Sequence, residues 1–286
     1  MLKEFLSLYR FRRRHNDDIA RMYLHYYQLF IKRISKYKGT ELSGLNILVI
    51  GSGKNFPFSY LMSMDGCNMT ALDPQYVSRS FFKYPGILWH NGFRVAIKTL
   101  FKDIFFIRSE RRILDPERKG PGRIKFIRAN AENIPFPDDS FDIVFSYCAF
   151  EHINDIESVL DECSRVIKTD GLIYITIHSF PSLSGGHHPF WFFPDIFAPA
   201  NIPPWYQLRG GVESHSRIMD YGLNGFRPER YRTEFRERTN LIKEFGDRIE
   251  GKSFLSKKIL KELGDYSEEE LLTAFITFMA GKKIHT

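Results

Sequence analysis

Cysteine is scarce in this 286-residue chain: only Cys67, Cys148 and Cys163 occur. Their separations fit neither a disulfide framework nor a metal motif, so a reducing cytoplasm is the expected setting. No apolar run approaches the roughly twenty residues that a membrane-spanning helix needs. The basic N-terminal stretch has an apolar part too short, and too mixed with aromatic and polar residues, for a signal peptide. No G-x-x-x-x-G-K-S/T follows the apolar run at 45–50, so no P-loop is expected there. No G-x-G-x-x-G occurs either: Phe56, followed by Pro57, stands where the third glycine would be. A dinucleotide turn needs that glycine for close helix–strand packing. No internal repeat is visible.

What is present begins with Leu45-Asn46-Ile47-Leu48-Val49-Ile50, an apolar run that stops at Gly51-Ser52-Gly53. Such a run reads as a buried parallel strand. Glycines just past its end let a backbone approach a ligand that side chains would obstruct. Twenty positions beyond Gly53, the run Met69-Thr70-Ala71-Leu72 ends on Asp73, placed to accept hydrogen bonds from a ribose diol. A cofactor with a nucleoside but no pyrophosphate satisfies both features, and S-adenosylmethionine is such a cofactor.

Further along, Ile124 to Arg128 reads as a third strand and Ile143 to Ser146 as a fourth. Between them lies Ala129-Asn130-Ala131-Glu132-Asn133-Ile134-Pro135-Phe136, then Ser140-Phe141-Asp142. Phe150-Glu151-His152-Ile153 opens a helix with Ile156, Val159, Leu160, Cys163, Val166 and Ile167 at helical spacing. Lys168-Thr169-Asp170-Gly171 reads as its closing turn, with Gly171 expected in the left-handed region. Leu172 to Ile177 is a fifth strand. Alternation of this kind predicts an α/β sheet with right-handed crossovers.

Residues from about 45 to 180 resemble the class I S-adenosylmethionine-dependent methyltransferases, of the branch that modifies small molecules and glycans. The resemblance rests on Val49-Ile50-Gly51-Ser52-Gly53, Ala71-Leu72-Asp73, Ala131 to Phe136, Ser140 to Val144 and Arg165 to Gly171. It implies a Rossmann-like, seven-stranded, mostly parallel sheet with helices on both faces and an antiparallel last strand. It also implies S-adenosylmethionine as cofactor: Gly51, Ser52 and Gly53 against the methionine part, Asp73 on the ribose, Asn130 and Ala131 at the adenine, and Ser146 to Cys148 beside the methionyl group. The chain departs from the family at Asn55, where a third glycine is usual, at Asn130, where Asp is common, and at Thr169-Asp170-Gly171.

The chain's net charge is +7, unevenly spread. Residues 1–38 hold ten Lys and Arg against three Asp and Glu, and residues 74–123 hold eleven against four. The rest is therefore acidic. The basic segments are either solvated helix faces or contacts for anionic partners: a membrane surface, a phosphorylated substrate or nucleic acid. Residues 1–39 are expected to form a helical cap, with the helix over 17–38 and Ile19, Met22, Tyr23, Tyr26, Tyr27, Phe30, Ile31 and Ile34 on its apolar side. Arg12-Arg13-Arg14 before it is a solvated segment or a phosphate contact. Residues 40–286 form the catalytic domain.

That domain carries an insertion at about 84–123. Within it Phe93, Ile97, Leu100, Phe101, Ile104 and Phe105 make an apolar stripe beside Arg94, Lys98 and Lys102. This is an amphipathic basic helix. Its first reading is a helix packed on the protein's own core; the alternative is peripheral attachment to an anionic inner membrane face. Residues 108–123 read as a loop.

The Gly-, Pro- and aromatic-rich stretch at about 181–225 follows a strand's carboxyl end and reads as an acceptor lid. Its Trp191, Trp205 and Tyr206 are suited to sugar rings. A helix over Pro228–Arg238, a strand over 240–245, a helix over 256–263 and a final strand over 271–279 complete the pattern. A hydroxyl acceptor needs a base near neutral pKa, and His178 and His188 are the candidates. His152 and His187 lie in the same regions. No metal is expected, since His187-His188 with Asp195 matches no strong ligand motif.

Methyl transfer to a hydroxyl of a sugar or other small polar metabolite is therefore the leading function, with a small-molecule or glycan acceptor as partner. The alternatives are a methyltransferase-fold scaffold at an anionic membrane and an RNA methyltransferase. Nucleic acid is disfavoured, because no Asn/Asp-Pro-Pro-Tyr-like tetrad or catalytic-cysteine arrangement is present.

Overall fold

The computed structural model describes residues 2–39, 41–53, 56–75, 83–117, 119–188, 191–192, 202–209 and 222–283, without the side chains of 2–12, 14, 94 and 98. Asn55 and Asp195, and most of the proposed lid, lie outside the described residues, as do the side chains of Arg12, Arg14, Arg94 and Lys98.

The chain runs α1 (Leu2–Lys38), β1 (Asn46–Ile50), α2 (Pro57–Met64), β2 (Asn68–Asp73), α3 (Lys83–Asn91), α4 (Phe93–Lys102) and a π turn (Asp103–Ile107). It continues through α5 (Arg108–Leu114), β3 (Ile124–Arg128), β4 (Phe141–Tyr147), α6 (Ile156–Val166) and β5 (Ile167–His178). It ends with α7 (Pro228–Arg238), β6 (Asn240–Ile249), α8 (Lys257–Glu262), α9 (Glu268–Leu272) and β7 (Thr273–Gly281). The seven strands order as β3-β2-β1-β4-β5-β7-β6. β7 is antiparallel to both of its neighbours, and the others run parallel. The order reverses between β1 and β4, so a crevice opens at their carboxyl ends, where open α/β sheets bind ligands.

Both faces of the sheet are covered, which explains the continuous apolar strands. Alternate residues of β1 serve opposite layers: Ile47 and Val49 pack beneath α1 and α2, Leu48 and Ile50 beneath α6 and α7. Phe30 of α1 meets Phe145 and Tyr174 edge-on at 5.1 and 5.0 Å. On the other face Phe235 of α7 stacks on Phe278 of β7 at 4.5 Å.

Several elements differ from the sequence reading. α1 starts fifteen residues earlier than expected, at Leu2 rather than at residue 17. Residues 108–114, read as loop, form α5 because Glu110 and Leu114 are buried against the N-terminal helix side of the fold. Gly171 lies within β5 and not in a left-handed turn; glycine is required there because a Cβ would come within 2.3 Å of Ile167 Cγ1. The amphipathic stripe of the insertion faces outward. Phe93 is 67% exposed, Ile104 58% and Phe105 51%, and Trp89 of α3 reaches 85%. Thr99 and Phe106 point inward instead, so the helix rests on a narrow inner edge. Packing on the protein's own core therefore fails as an account of the stripe. Among the described residues, no helix is long and apolar enough to cross a membrane.

Candidate active site

The β1–β4 crevice holds a cleft of about 640 Å³ whose lining includes Gly51, Gly53, Asp73, Asn130, Ala131, Cys148 and His152. Six of the eight residues expected at the donor thus come together from four separate loops. The other two stand behind the wall: Ser146 is buried with Oγ donating to Ile50 O at 3.0 Å, and Ser52 is buried outside the lining. Ser146 therefore braces the β1 terminus.

The two glycines serve different purposes. Gly51 has φ +66°, and a Cβ there would lie 2.3 Å from Ala149 Cβ, so it lets the β1 and β4 loops touch. Gly53 has φ +63°, but a Cβ there would meet nothing within 4 Å. It keeps the cleft floor open. Asp73 sits at the tip of β2, where its Oδ2 accepts from the Gly53 amide at 3.0 Å and its Oδ1 from the Gln75 amide at 2.8 Å. Those bonds fix the carboxylate's orientation at the cleft wall. An open backbone floor beside a fixed carboxylate fits a ribose-bearing donor. In contrast, Phe56 fills the third-glycine position with a buried ring, 5.0 Å from that of Phe126.

The loop that follows β3 is shaped by Arg165 of α6. Its guanidinium donates to Phe136 O at 2.9 Å and Ile134 O at 3.0 Å, and pairs with Glu162 and Asp138 at 2.6 and 2.8 Å. Glu162 also accepts from the Ile134 amide at 2.7 Å. This fork holds the chain that presents Asn130 and Ala131. Lys102, at the end of α4, also lines the cleft. The insertion thus borders this cleft, which the sequence did not disclose.

Beyond Cys148 lies a buried polar cluster. Glu151 belongs to the short turn after β4, His178 ends β5, and His187 comes from the following loop. His187 Nε2 is 3.6 Å from Glu151 Oε1, and the His178 and His187 rings lie 4.5 Å apart. His152 joins the cluster to the cleft, with its ring 5.2 Å from that of His187. Burial pushes the Glu151 carboxyl up to about 8, against the pull of the Glu151 and His178 amides. Burial also drives His187 down to about 3 and His178 well below its ordinary value. Cys148 and His187 both take left-handed backbone, at φ 51° and 57°, a conformation uncommon outside glycine. His188 is half-buried, its ring 5.8 Å from that of Tyr206. Glu151 went unnoticed in the sequence because nothing local distinguishes it from an ordinary helix-opening acid.

The aromatic residues expected to receive a sugar are placed otherwise. Trp191 and Trp205 are fully buried with Leu183, Ile202, Leu263, Leu271 and Leu272, and Trp205 Nε1 donates to Leu271 O at 3.1 Å. They anchor the segment to α8 and α9. Tyr206 is half-buried, with its hydroxyl donating to Gly186 O at 2.5 Å.

The family described as methyltransferase domain matches this chain over residues 108–175. An uncharacterized methyltransferase, YcgJ, from Bacillus subtilis (strain 168) is 38% identical over 65 residues, 23% of this chain and 26% of that protein. A demethylmenaquinone methyltransferase from Geobacillus kaustophilus (strain HTA426) is 36% identical over 81 residues, 28% of this chain and 35% of that protein. The aligned stretch thus spans about a quarter to a third of these curated relatives. Among solved structures, YcgJ aligns with 91% of this chain and 99% of its own at 16% identity and a TM-score of 0.47.

Proposed function

We infer that a chain with this strand order, this cleft and this methyltransferase-domain segment is a class I S-adenosylmethionine-dependent methyltransferase, and we propose that it methylates a hydroxyl of a small polar acceptor such as a sugar. The observation that carries the reading is the convergence of Gly51, Gly53, Asp73, Asn130, Ala131 and Cys148 on one cleft. When bound, the donor supplies a methyl group activated by its sulfonium. The chain's own task is then positioning, which accounts for much of the acceleration in a displacement of this kind.

Asp73 would hold the ribose, and the loop braced by Arg165 would read the adenine. The acceptor would enter over His152, beside the buried cluster. His178 and His188 remain the candidates for taking a hydroxyl proton. His188 suits that task better, because burial leaves His178 a weak base.

The outward-facing stripe favours a second reading, in which the acceptor is lipid-borne and the protein meets an anionic bilayer through α3, α4 and the π turn. The demethylmenaquinone methyltransferase relative supports it, and methylation of a hydroquinone-like ring carbon would release the ring's own proton rather than a hydroxyl proton. Incubation with labelled S-adenosylmethionine and fractionated extract separates the readings. Label in water-soluble glycans or metabolites supports the first, and label in the lipid fraction the second. A protein that binds the donor but labels nothing would be a scaffold.

A further inference from the structure

We propose that Glu151, His178 and His187 form a binding site for one divalent transition-metal cation at the carboxyl ends of β4 and β5. One ligand-capable atom from each residue lies within 4.8 Å of the other two. Ligand atoms around a bound ion, at bond lengths of about 2.0–2.2 Å, stand roughly 3–3.5 Å apart. Small side-chain rotations would close that difference. Two imidazoles and one carboxylate, without a thiolate, form a donor set suited to zinc, iron, cobalt or manganese.

Three further observations point to a cation here. First, Glu151 is 2% exposed; its own amide, the His178 amide and His187 Nε2 at 3.6 Å approach the carboxylate, but neither oxygen completes a hydrogen bond among the described residues. A buried carboxylate is costly unless paired or coordinated. The guanidinium of Arg248, whose charge reaches His178, is committed to Glu250 Oε2 at 3.1 Å and to Phe192 O at 2.5 Å. Second, His178 is oriented from behind: its Nε2 lies 2.7 Å from Ser184 Oγ, and the Ser184 amide donates to Glu250 Oε1 at 2.7 Å. Metal-binding imidazoles are normally held in this way through the ring's other polar contact. Third, close packing around the Gly185-Gly186 turn fixes the path that delivers His187. A Cβ at Gly185 would lie 2.2 Å from Phe180 O, and one at Gly186 would lie 2.5 Å from the Tyr206 hydroxyl.

Three protein ligands leave coordination positions for water or an acceptor oxygen, as in catalytic metal sites. His152 connects this cluster to the cleft, so a bound ion could supply Lewis-acid chemistry near the acceptor's path. That use rests on the methyl-transfer reading; the binding itself does not.

The test uses untagged full-length protein stripped with a chelator, then titrated separately with Zn²⁺ and Co²⁺ by calorimetry and visible absorption. The expected result is saturable binding of one ion per chain, with Co²⁺ ligand-field bands. Glu151→Gln and His187→Ala should weaken it by at least about tenfold to 100-fold, while S-adenosylmethionine binding persists. Glu151→Gln preserves the side chain's shape and decides the matter if His187→Ala fails to fold. Absence of one-to-one binding in the wild type, or wild-type binding by a folded Glu151→Gln variant, would overturn the proposal. Either result with donor binding intact leaves the methyltransferase reading standing, whereas loss of donor binding alone contradicts that reading and not this one.

Discussion

Arg33 of α1 and Asp247 of β6 form a two-pronged ion pair, Nη1 to Oδ2 at 2.8 Å and Nη2 to Oδ1 at 2.5 Å, although 214 residues separate them. Asp247 also accepts from Thr277 Oγ1 at 2.5 Å, and Arg33 donates to the Tyr174 hydroxyl at 2.8 Å. The pair ties the N-terminal helix to the mixed edge of the sheet. With the two side chains 13% and 3% exposed, removing one partner strands a buried charge, at a cost of about 3–5 kcal/mol. Asp247→Ala should therefore lower the thermal midpoint markedly. An unchanged midpoint would mean that α1 docks without this pair.

A second ion pair makes acid stability testable. Asp142 of β4 accepts from Lys168 Nζ at 2.8 Å and from the Asn46 amide at 2.9 Å. Burial acts to raise this carboxyl, but the Lys168 and Asn46 hydrogen bonds outweigh it and hold the group below its ordinary value. A depressed folded pKa means that the stabilisation is present above about pH 4, the unfolded carboxylate value, and is lost as pH falls through the folded one. Asp142→Asn should cost roughly 1–3 kcal/mol at neutral pH and flatten that acid limb. A variant with the wild-type pH dependence would contradict the assignment.

The buried tryptophans separate a structural role from a substrate-binding one. Trp205→Ala should destabilise the protein by about 3–5 kcal/mol, the range for large aromatic truncations in cores. Trp205 packs against Leu183, Leu271 and Leu272 rather than toward the cleft. A stable variant with raised acceptor KM would instead restore the sugar-platform expectation.

The exposed stripe predicts sedimentation with anionic vesicles but not with neutral ones, weakening as salt screens the charges. Trp89→Ala and Phe93→Ser should abolish it and leave unfolding within about 0.5 kcal/mol of wild type, as exposed substitutions usually do. Indifference to vesicles in the wild type would leave the stripe to another partner.

How far the sequence could be read depended on whether a feature was local. The run from Leu45 to Gly53, the strand ending on Asp73, and Asn130-Ala131 each carry their own signal, and the sheet aligns them on one cleft. Ser146 shared the motif but not the lining, since it is buried with its hydroxyl bonded to Ile50 O. Periodicity revealed the stripe from Phe93 to Phe105, but not that its apolar side would face outward. Residues 108–114 looked like loop because arginines and a following Pro and Gly dominate there, while burial of Glu110 and Leu114 depends on contacts remote in sequence. The cluster of Glu151, His178 and His187 was least legible. Its members come from three segments, and only the strand ends and the Gly185-Gly186 turn bring them together.

The donor cleft is the central claim, and calorimetry with S-adenosylmethionine, S-adenosylhomocysteine and NAD tests it most directly. The account predicts saturable one-site binding of both sulfur ligands and none of NAD. It also predicts a loss of roughly 1.5–3 kcal/mol in Asp73→Ala, the scale of a hydrogen bond to a charged group. Binding of NAD with no response to either sulfur ligand would contradict it, and an unchanged affinity in Asp73→Ala would remove that carboxylate from the ribose.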